Sequence, residues 1–432
     1  MRRYFVLGIV LVVVASSCAW ARPRFDAGRS GHNPQENRIN AANVATLTRS
    51  YATAADPSAR GFVVSRGHIY VTGSPMRVFD AGGQQGCSGT PRVCAPQWSL
   101  DGPGVADVLD TSVYGPSNNG AAAGYDADGE MRCSGTPKIC SPLWNETIAL
   151  PTSGSLDPDR THFEVVRQSA RGSESAKIFG YNIRCVEICV PVWAGVLGTG
   201  PNGGIVAEPA VRDGVLFAAY APVGANGTLH AFDATHGFVA SELWTASLDG
   251  VNSTEIAVAD GIVVVPVQTT LGTKLEAFDA KGVAGCSGTP KVCTPIWSTD
   301  VVAVGADAAP AIANGVVYRA VGSQIRAYDA HGTIGCGGTP KVCEKLWVSF
   351  VGPNISAPAV ANGLVYVTSS DGSVEAFDAA GLNQCSATTR VCAALWTVTL
   401  VGGAGDVEVA NGRVFVASAN GAVTAFALPV AP

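Results

Sequence analysis

Cys286-Ser-Gly-Thr-Pro-Lys-Val-Cys293-Thr-Pro-Ile-Trp297 follows Ala277-Phe278-Asp279-Ala280, and variants of the whole unit return down the chain. The spacing is about fifty residues, and self-similarity at such a period marks a repeat array or a propeller. Trp98, Trp144, Trp193, Trp244, Trp297, Trp347 and Trp396 keep that period. An aromatic-polar step precedes each: Phe79-Asp80, Tyr125-Asp126, Tyr181-Asn182, Phe232-Asp233, Phe278-Asp279, Tyr328-Asp329 and Phe377-Asp378. The step begins once more at Phe426 without a Trp to follow.

The repeat at 310–350 shows the grammar. Pro310-Ala-Ile-Ala-Asn-Gly315 reads as a small-residue strand closed by an Asn-Gly hairpin turn. Val316 to Val321 and Gln324 to Asp329 read as the second and third strands. Lys345 to Phe350 reads as the fourth, after the loop that holds Cys336 and Cys343. Small residues suit the crowded inner strand of a propeller blade, and large aromatics its wider outer strand. The last repeat lacks a fourth strand, whereas Asn43 to Tyr51 alternates like a strand and has no predecessors. Joining these two orphans gives an all-β, eight-bladed propeller and removes a bare sheet edge. Seven blades with a loose N-terminus is the alternative. The second and third repeats, about 101–193, lack the Ala-Asn-Gly turn and are degraded. The expected organisation is a leader at 1–21 and one propeller domain at 22–432, with 22–60 as lead-in and closing strand and 61–432 as repeats.

Met1-Arg-Arg-Tyr followed by the apolar run Phe5 to Ala15 reads as an export signal, with Ala19-Trp20-Ala21 as the cleavage site. Lipidation of Cys18 is the competing reading, and the apolar run is too short for a retained membrane span. Apart from Cys18, the cysteines fall into six local pairs. Five share the C-x6-C spacing: Cys87 with Cys94, Cys133 with Cys140, Cys286 with Cys293, Cys336 with Cys343, and Cys385 with Cys392. The sixth, Cys185 with Cys189, is C-x3-C. Close, even-numbered pairs in an exported chain read as disulfides. Each pair stands alone in its repeat and no His tracks it, unlike a zinc site. The expected location is therefore secreted, extracellular or periplasmic.

The formal charge of −6 becomes −8 when Arg2 and Arg3 leave with the leader, which excludes nucleic-acid binding by electrostatics. Asn145, Asn226, Asn252 and Asn354 head glycosylation sequons that matter only on a eukaryotic secretory route.

Ala231-Phe-Asp-Ala-Thr-His-Gly237, ending at Trp244, resembles the A-x-D-x-x-x-G…W docking motif of the PQQ-dehydrogenase-like (quinoprotein) propeller repeat. Phe25-Asp-Ala-Gly-Arg-Ser-Gly-His-Asn-Pro is similar to the lead-in of that superfamily's exported members. The resemblance implies an eight-bladed propeller over nearly the whole chain after the leader. It implies a quinone cofactor less directly, since barrel-assembly lipoproteins of the outer membrane carry the repeat without enzyme activity. Quinoprotein alcohol dehydrogenases carry a vicinal Cys-Cys disulfide, and no two cysteines are adjacent here. No Ser-His-Asp elbow, HExxH or phosphate loop supplies another chemistry.

Two constellations remain. Arg92, Lys138, Lys291, Lys341 and Arg390 each lie two residues before the second Cys of a long loop, and would form a partial basic crown on one face. Its bland reading is solvated charge copied with the loop; its functional reading is docking to an anionic partner. Glu208, Glu255 and Asp406 each stand six residues before a hairpin glycine, at the head of an inner strand. Converging there, they would offer oxygens to a hard cation such as Ca²⁺, or simply line the channel mouth. The expected function is a non-enzymatic binding or scaffold module for a protein, glycan or anionic surface, with no cofactor. A PQQ- or metal-dependent dehydrogenase working at the channel mouth and a glycan-binding propeller are the alternatives.

Overall fold

The structure, a computed structural model, describes residues 19–429 apart from residue 60 and the segments 103–106, 117–121, 146–152, 157–160, 171–172, 183–190, 202–203, 223–224, 236–238, 252–253 and 304–306. Among the described residues no helix is long and apolar enough to cross a membrane.

Among the described residues eight sheets are hydrogen-bonded, each built on four antiparallel strands, which in seven of the sheets follow one another in chain order. The sixth matches its sequence expectation closely: Ala311–Ala313, Val316–Val321, Gln324–Asp329 and Trp347–Phe350. Inner strands are short and small, as in Ala257–Ala259, Ala311–Ala313 and Ala359–Ala361, and all nine of those residues are buried. The eighth sheet takes Ala404–Ala410, Arg413–Ser418 and Val423–Ala427 from the C-terminal repeat. Its fourth strand is Thr48–Thr53, paired antiparallel with Val423–Ala427. The two orphan strands do join. The closing strand starts later than the alternation suggests, because Val44–Thr46 forms a 3-10 turn. The Asn43 side chain causes this by accepting from the Asn40 N–H and donating to the Arg38 carbonyl, a local competition with strand pairing.

The repeated Asp and Trp have separable jobs. Asp279 Oδ1 accepts the Lys281 N–H, and Oδ2 those of Val283 and Ala284, so the chain turns sharply out of the third strand. Partial burial works against that charge, yet the three N–H donors hold the carboxyl below the usual range. Trp297, fully buried, donates Nε1 to the Ala330 carbonyl of the next blade at 2.8 Å, and Trp347 does the same to Ala379 at 3.2 Å. The closing strand has no Trp, and Tyr51 takes the role, its hydroxyl donating to the Ala81 carbonyl at 2.7 Å. Gly83 lies flat on that ring: its φ is +66°, and a Cβ would come within 2.1 Å of Tyr51 Cδ1. Only glycine tolerates both conditions.

The five C-x6-C pairs are disulfide-bonded as their spacing leads one to expect: Cys87 to Cys94, Cys133 to Cys140, Cys286 to Cys293, Cys336 to Cys343, and Cys385 to Cys392. The sixth expected bridge, between Cys185 and Cys189, falls on 183–190 and so lies outside the described residues, as do Cys18 and the leader before it.

These loops do more than decorate a face. Each hairpin, inserted between the third and fourth strands of its own blade, pairs in parallel with the outer strand of the preceding blade. Val292 and Cys293 of the fifth blade align with Thr245 and Ala246 of the fourth. Val342 and Cys343 align with Ser298 and Thr299, Ile139 and Cys140 with Ser99 and Leu100, and Val93 and Cys94 with Ala52 and Thr53. In the seventh blade Val391 bridges Val348 in the same manner, and the Cys392 N–H donates to the Val348 carbonyl at 2.9 Å. The short, cysteine-free loop of the fourth blade still bridges Val239 to Ala194. The exposed outer edge of one blade is thus covered by its successor, which blunts edge-to-edge aggregation. Blades five and six are further tied by Arg319, wholly buried, which pairs bidentately with Asp307 and donates to Thr273 and Thr299.

The candidate functional site: a belt across the channel strands

The segment from Trp20 to Asn33 runs along the inner strands. Trp20 exchanges both backbone hydrogen bonds with Val64 of the first blade, at 2.7 and 2.9 Å. Ala21 then accepts the Val108 N–H of the second blade. Ala27, Gly28, Ser30 and Gly31 accept in turn from Val211, Val258, Ile312 and Val360, at 2.7–2.8 Å, in blades four to seven. Asn33 Nδ2 finishes on the Val409 carbonyl of the eighth. The inner strand of a blade is a free edge whose N–H groups need partners, and the belt supplies them one blade at a time. Each bonded residue stands two before its hairpin turn. Because strands alternate in direction, these first hairpin turns and the disulfide loops leave the blades at the same end.

Close approach shapes the belt locally. Gly31 has φ +64°, and a Cβ there would meet Arg24 Nη2 at 2.4 Å and Ala311 Cβ at 2.9 Å. Asp26 fixes the bend by accepting from the Ser30 N–H and hydroxyl and pairing with Arg212 at 2.9 Å.

From this belt two arginines meet the acidic set. Glu208 and Glu255 are neighbours across a parallel bridge between blades four and five. Arg29 Nη1 lies 2.8 Å from Glu208 Oε2 and 2.6 Å from Glu255 Oε1, and Nε donates to the Pro209 carbonyl. Arg24 Nε lies 3.5 Å from Glu255 Oε2, while its Nη groups donate to the Pro310 and Pro358 carbonyls of blades six and seven. Asp406 of blade eight reaches solvent yet is crowded by the surrounding protein; burial raises its carboxyl, Glu255 adds to the rise and Arg24 opposes it. Glu208 is likewise raised, by burial first, against the pull of Arg29 and with a further push from Glu255. Burial alone would lower the Arg29 guanidinium, but the charges of Glu208 and Glu255 outweigh it and raise it. Glu408, 4 % exposed, has one carboxylate oxygen without a hydrogen-bond partner, and burial followed by the Asp406 charge pushes it well up.

The structure therefore brings Glu208 and Glu255 together and sets Asp406 within the electrostatic reach of Glu255. Arg24 and Arg29, which sequence reasoning missed, supply the facing charge. Their signal was faint: two arginines in a short lead-in, far along the chain from the carboxylates they meet. Among the described residues no three His, Cys, Asp or Glu come together so as to hold a metal ion. Both glutamates already sit in ion pairs, Glu208 with Arg29 and Glu255 with Arg29 and Arg24.

The basic crown is partly internal. Arg92 donates to the Gly83 carbonyl and Lys341 to Gly332, each spanning its own loop, and Arg390 to Lys345. Lys291, like Arg92, Lys341 and Arg390, is exposed, and Lys138 is half-buried.

The sheets and their order define a β-propeller. Solved structures agree on the fold. The quinohemoprotein alcohol dehydrogenase of Comamonas testosteroni matches with TM-score 0.65 at 12% identity, over 96% of this chain and 81% of that one. A europium-containing methanol dehydrogenase matches with TM-score 0.57 at 13% identity, over 95% and 98%. BamB from Moraxella catarrhalis matches with TM-score 0.55 at 15% identity, over 88% and 99%. No protein-family model and no curated protein sequence matches the chain.

Proposed function

We propose that this chain is an exported propeller working as a binding scaffold, which docks an anionic partner on its disulfide-loop face and turns over no substrate in its channel. The belt carries this reading. Where a channel-mouth enzyme needs open carboxylates, this chain has Glu208 and Glu255 paired with its own Arg29 and Arg24. The disulfide bonds support an oxidising location. Charge supports the choice of face: the loops 81–97, 127–143, 280–296, 330–346 and 379–395 hold eight Lys and Arg against three Asp and Glu, in a chain of net charge −6. Apolar side chains on the same loops, Val283, Ile334 and Leu382, stand exposed on three consecutive blades. Exposed apolar groups ringed by cations suit a partner bearing both negative charge and apolar surface.

The test is binding to vesicles of phosphatidylcholine with and without an anionic lipid, and to a soluble polyanion. The wild type is expected to bind the anionic probes, and a Lys291→Glu/Lys341→Glu variant with an unchanged melting temperature to lose most of that binding. Equal binding by the variant would sink the docking face. Dye reduction on adding PQQ, Ca²⁺ and an alcohol would favour the dehydrogenase instead.

A further inference from the structure

We propose that export processing cuts upstream of Trp20, at one of the bonds between Ala15 and Trp20, and not after Ala21. The proposal rests on the export reading above and concerns which residues the folded chain keeps.

Trp20 is 1 % exposed and belongs to the core shared by the first, seventh and eighth blades. Its ring meets Phe25 edge-on at 5.4 Å. Its N–H and C=O both bond Val64, and the Ala21 carbonyl takes the Val108 N–H. A cut after Ala21 removes all of these groups. It leaves the Val64 and Val108 edges bare and empties a site the size of an indole in the packing that joins the first blade to the last. The sequence upstream offers bonds that avoid this: Ser17-Cys18-Ala19 has small residues three and one before the Ala19–Trp20 bond, and Ala15-Ser16-Ser17 precedes Cys18. The step is hydrolysis of one peptide bond by a processing protease of the export route. Water gives its hydroxyl to the leader's new carboxylate and its proton to the new amine. Trp20 is thereby kept on Val64, beside the first-blade hairpin and at the end that carries the disulfide loops.

The decisive experiment expresses the full chain with its own leader and determines the intact mass and N-terminal residue of the exported, oxidised protein. A first residue from Ser16 to Trp20 is expected, and Cys18 bearing a lipid satisfies the proposal equally. Arg22 as the first residue overturns it, as does Met1 on an exported, oxidised chain. Met1 on a chain retained inside with reduced cysteines would instead overturn the export reading. In a second measurement, chains beginning at Ala19 and at Arg22 are exported behind an unrelated leader of known cut. The chain beginning at Arg22 should melt lower or fail to accumulate; equal melting temperatures would refute the role given to Trp20.

Discussion

Replacing Arg29 by Met keeps most of the stem and removes the charge between Glu208 and Glu255. In the native chain one guanidinium nitrogen is 2.8 Å from the first carboxylate and 2.6 Å from the second, and the Arg29 side chain is only 6 % exposed. Breaking a buried ion pair by removing one partner costs about 3–5 kcal/mol. Glu208 is 37 % exposed and Arg24 still faces Glu255, so solvent screening and the second arginine place the expected loss near the low end, about 3 kcal/mol. The loss should depend on pH. Glu208 is already raised above its unfolded value, and losing Arg29 raises it further. A carboxyl raised in the folded state costs stability while ionised, and that cost fades as pH falls through its folded pKa. Urea unfolding at pH 8 and pH 5 should therefore show a wide gap between wild type and Arg29→Met that narrows at the lower pH. Arg29→Lys should restore part of it. A gap under about 1 kcal/mol at pH 8, the range of an exposed pair, would refute the reasoning, as would one that ignores pH.

Other consequences follow from the same geometry. Tyr51→Phe removes the hydroxyl bonded to Ala81 and should cost about 1 kcal/mol in urea unfolding, while Gly83→Ala, which drives a Cβ into the same ring, should cost more. Replacing both Cys286 and Cys293 by Ser should lose about 2–3 kcal/mol by chain entropy, and should expose the outer strand Ser241–Leu248 to limited proteolysis. Glu408→Gln should be more stable than wild type at pH 8, because the buried carboxyl is raised and costs stability when ionised; the advantage should vanish toward pH 4.

What the sequence made legible was whatever repeats. The Asp279 and Trp297 positions return in each unit because each blade solves the same turn and the same packing against its neighbour. The closing strand was legible by elimination, since one repeat ends without a fourth strand and the N-terminus holds a spare. Three features stayed hidden for physical reasons. The belt bonds mainly through backbone carbonyls, so its side chains carry no periodic mark. The parallel pairing of Val292-Cys293 with the preceding blade involves two residues, too few for an alternation to register. Tyr51 replaces Trp in the docking role through a hydroxyl in place of an indole N–H, and so drops out of a count of tryptophans. The acidic set was visible by position, whereas the arginines that face it come from one short segment outside the repeat.

Hydrogen exchange of the mature chain tests the central claim most directly. If the lead-in occupies the inner strands, the Val211, Val258, Ile312 and Val360 amides, which donate to the belt, should exchange as slowly as ladder amides of the blades they belong to. Rapid exchange at those four positions, with the rest of each blade protected, would mean that the belt is not seated and that the channel strands are free for another occupant.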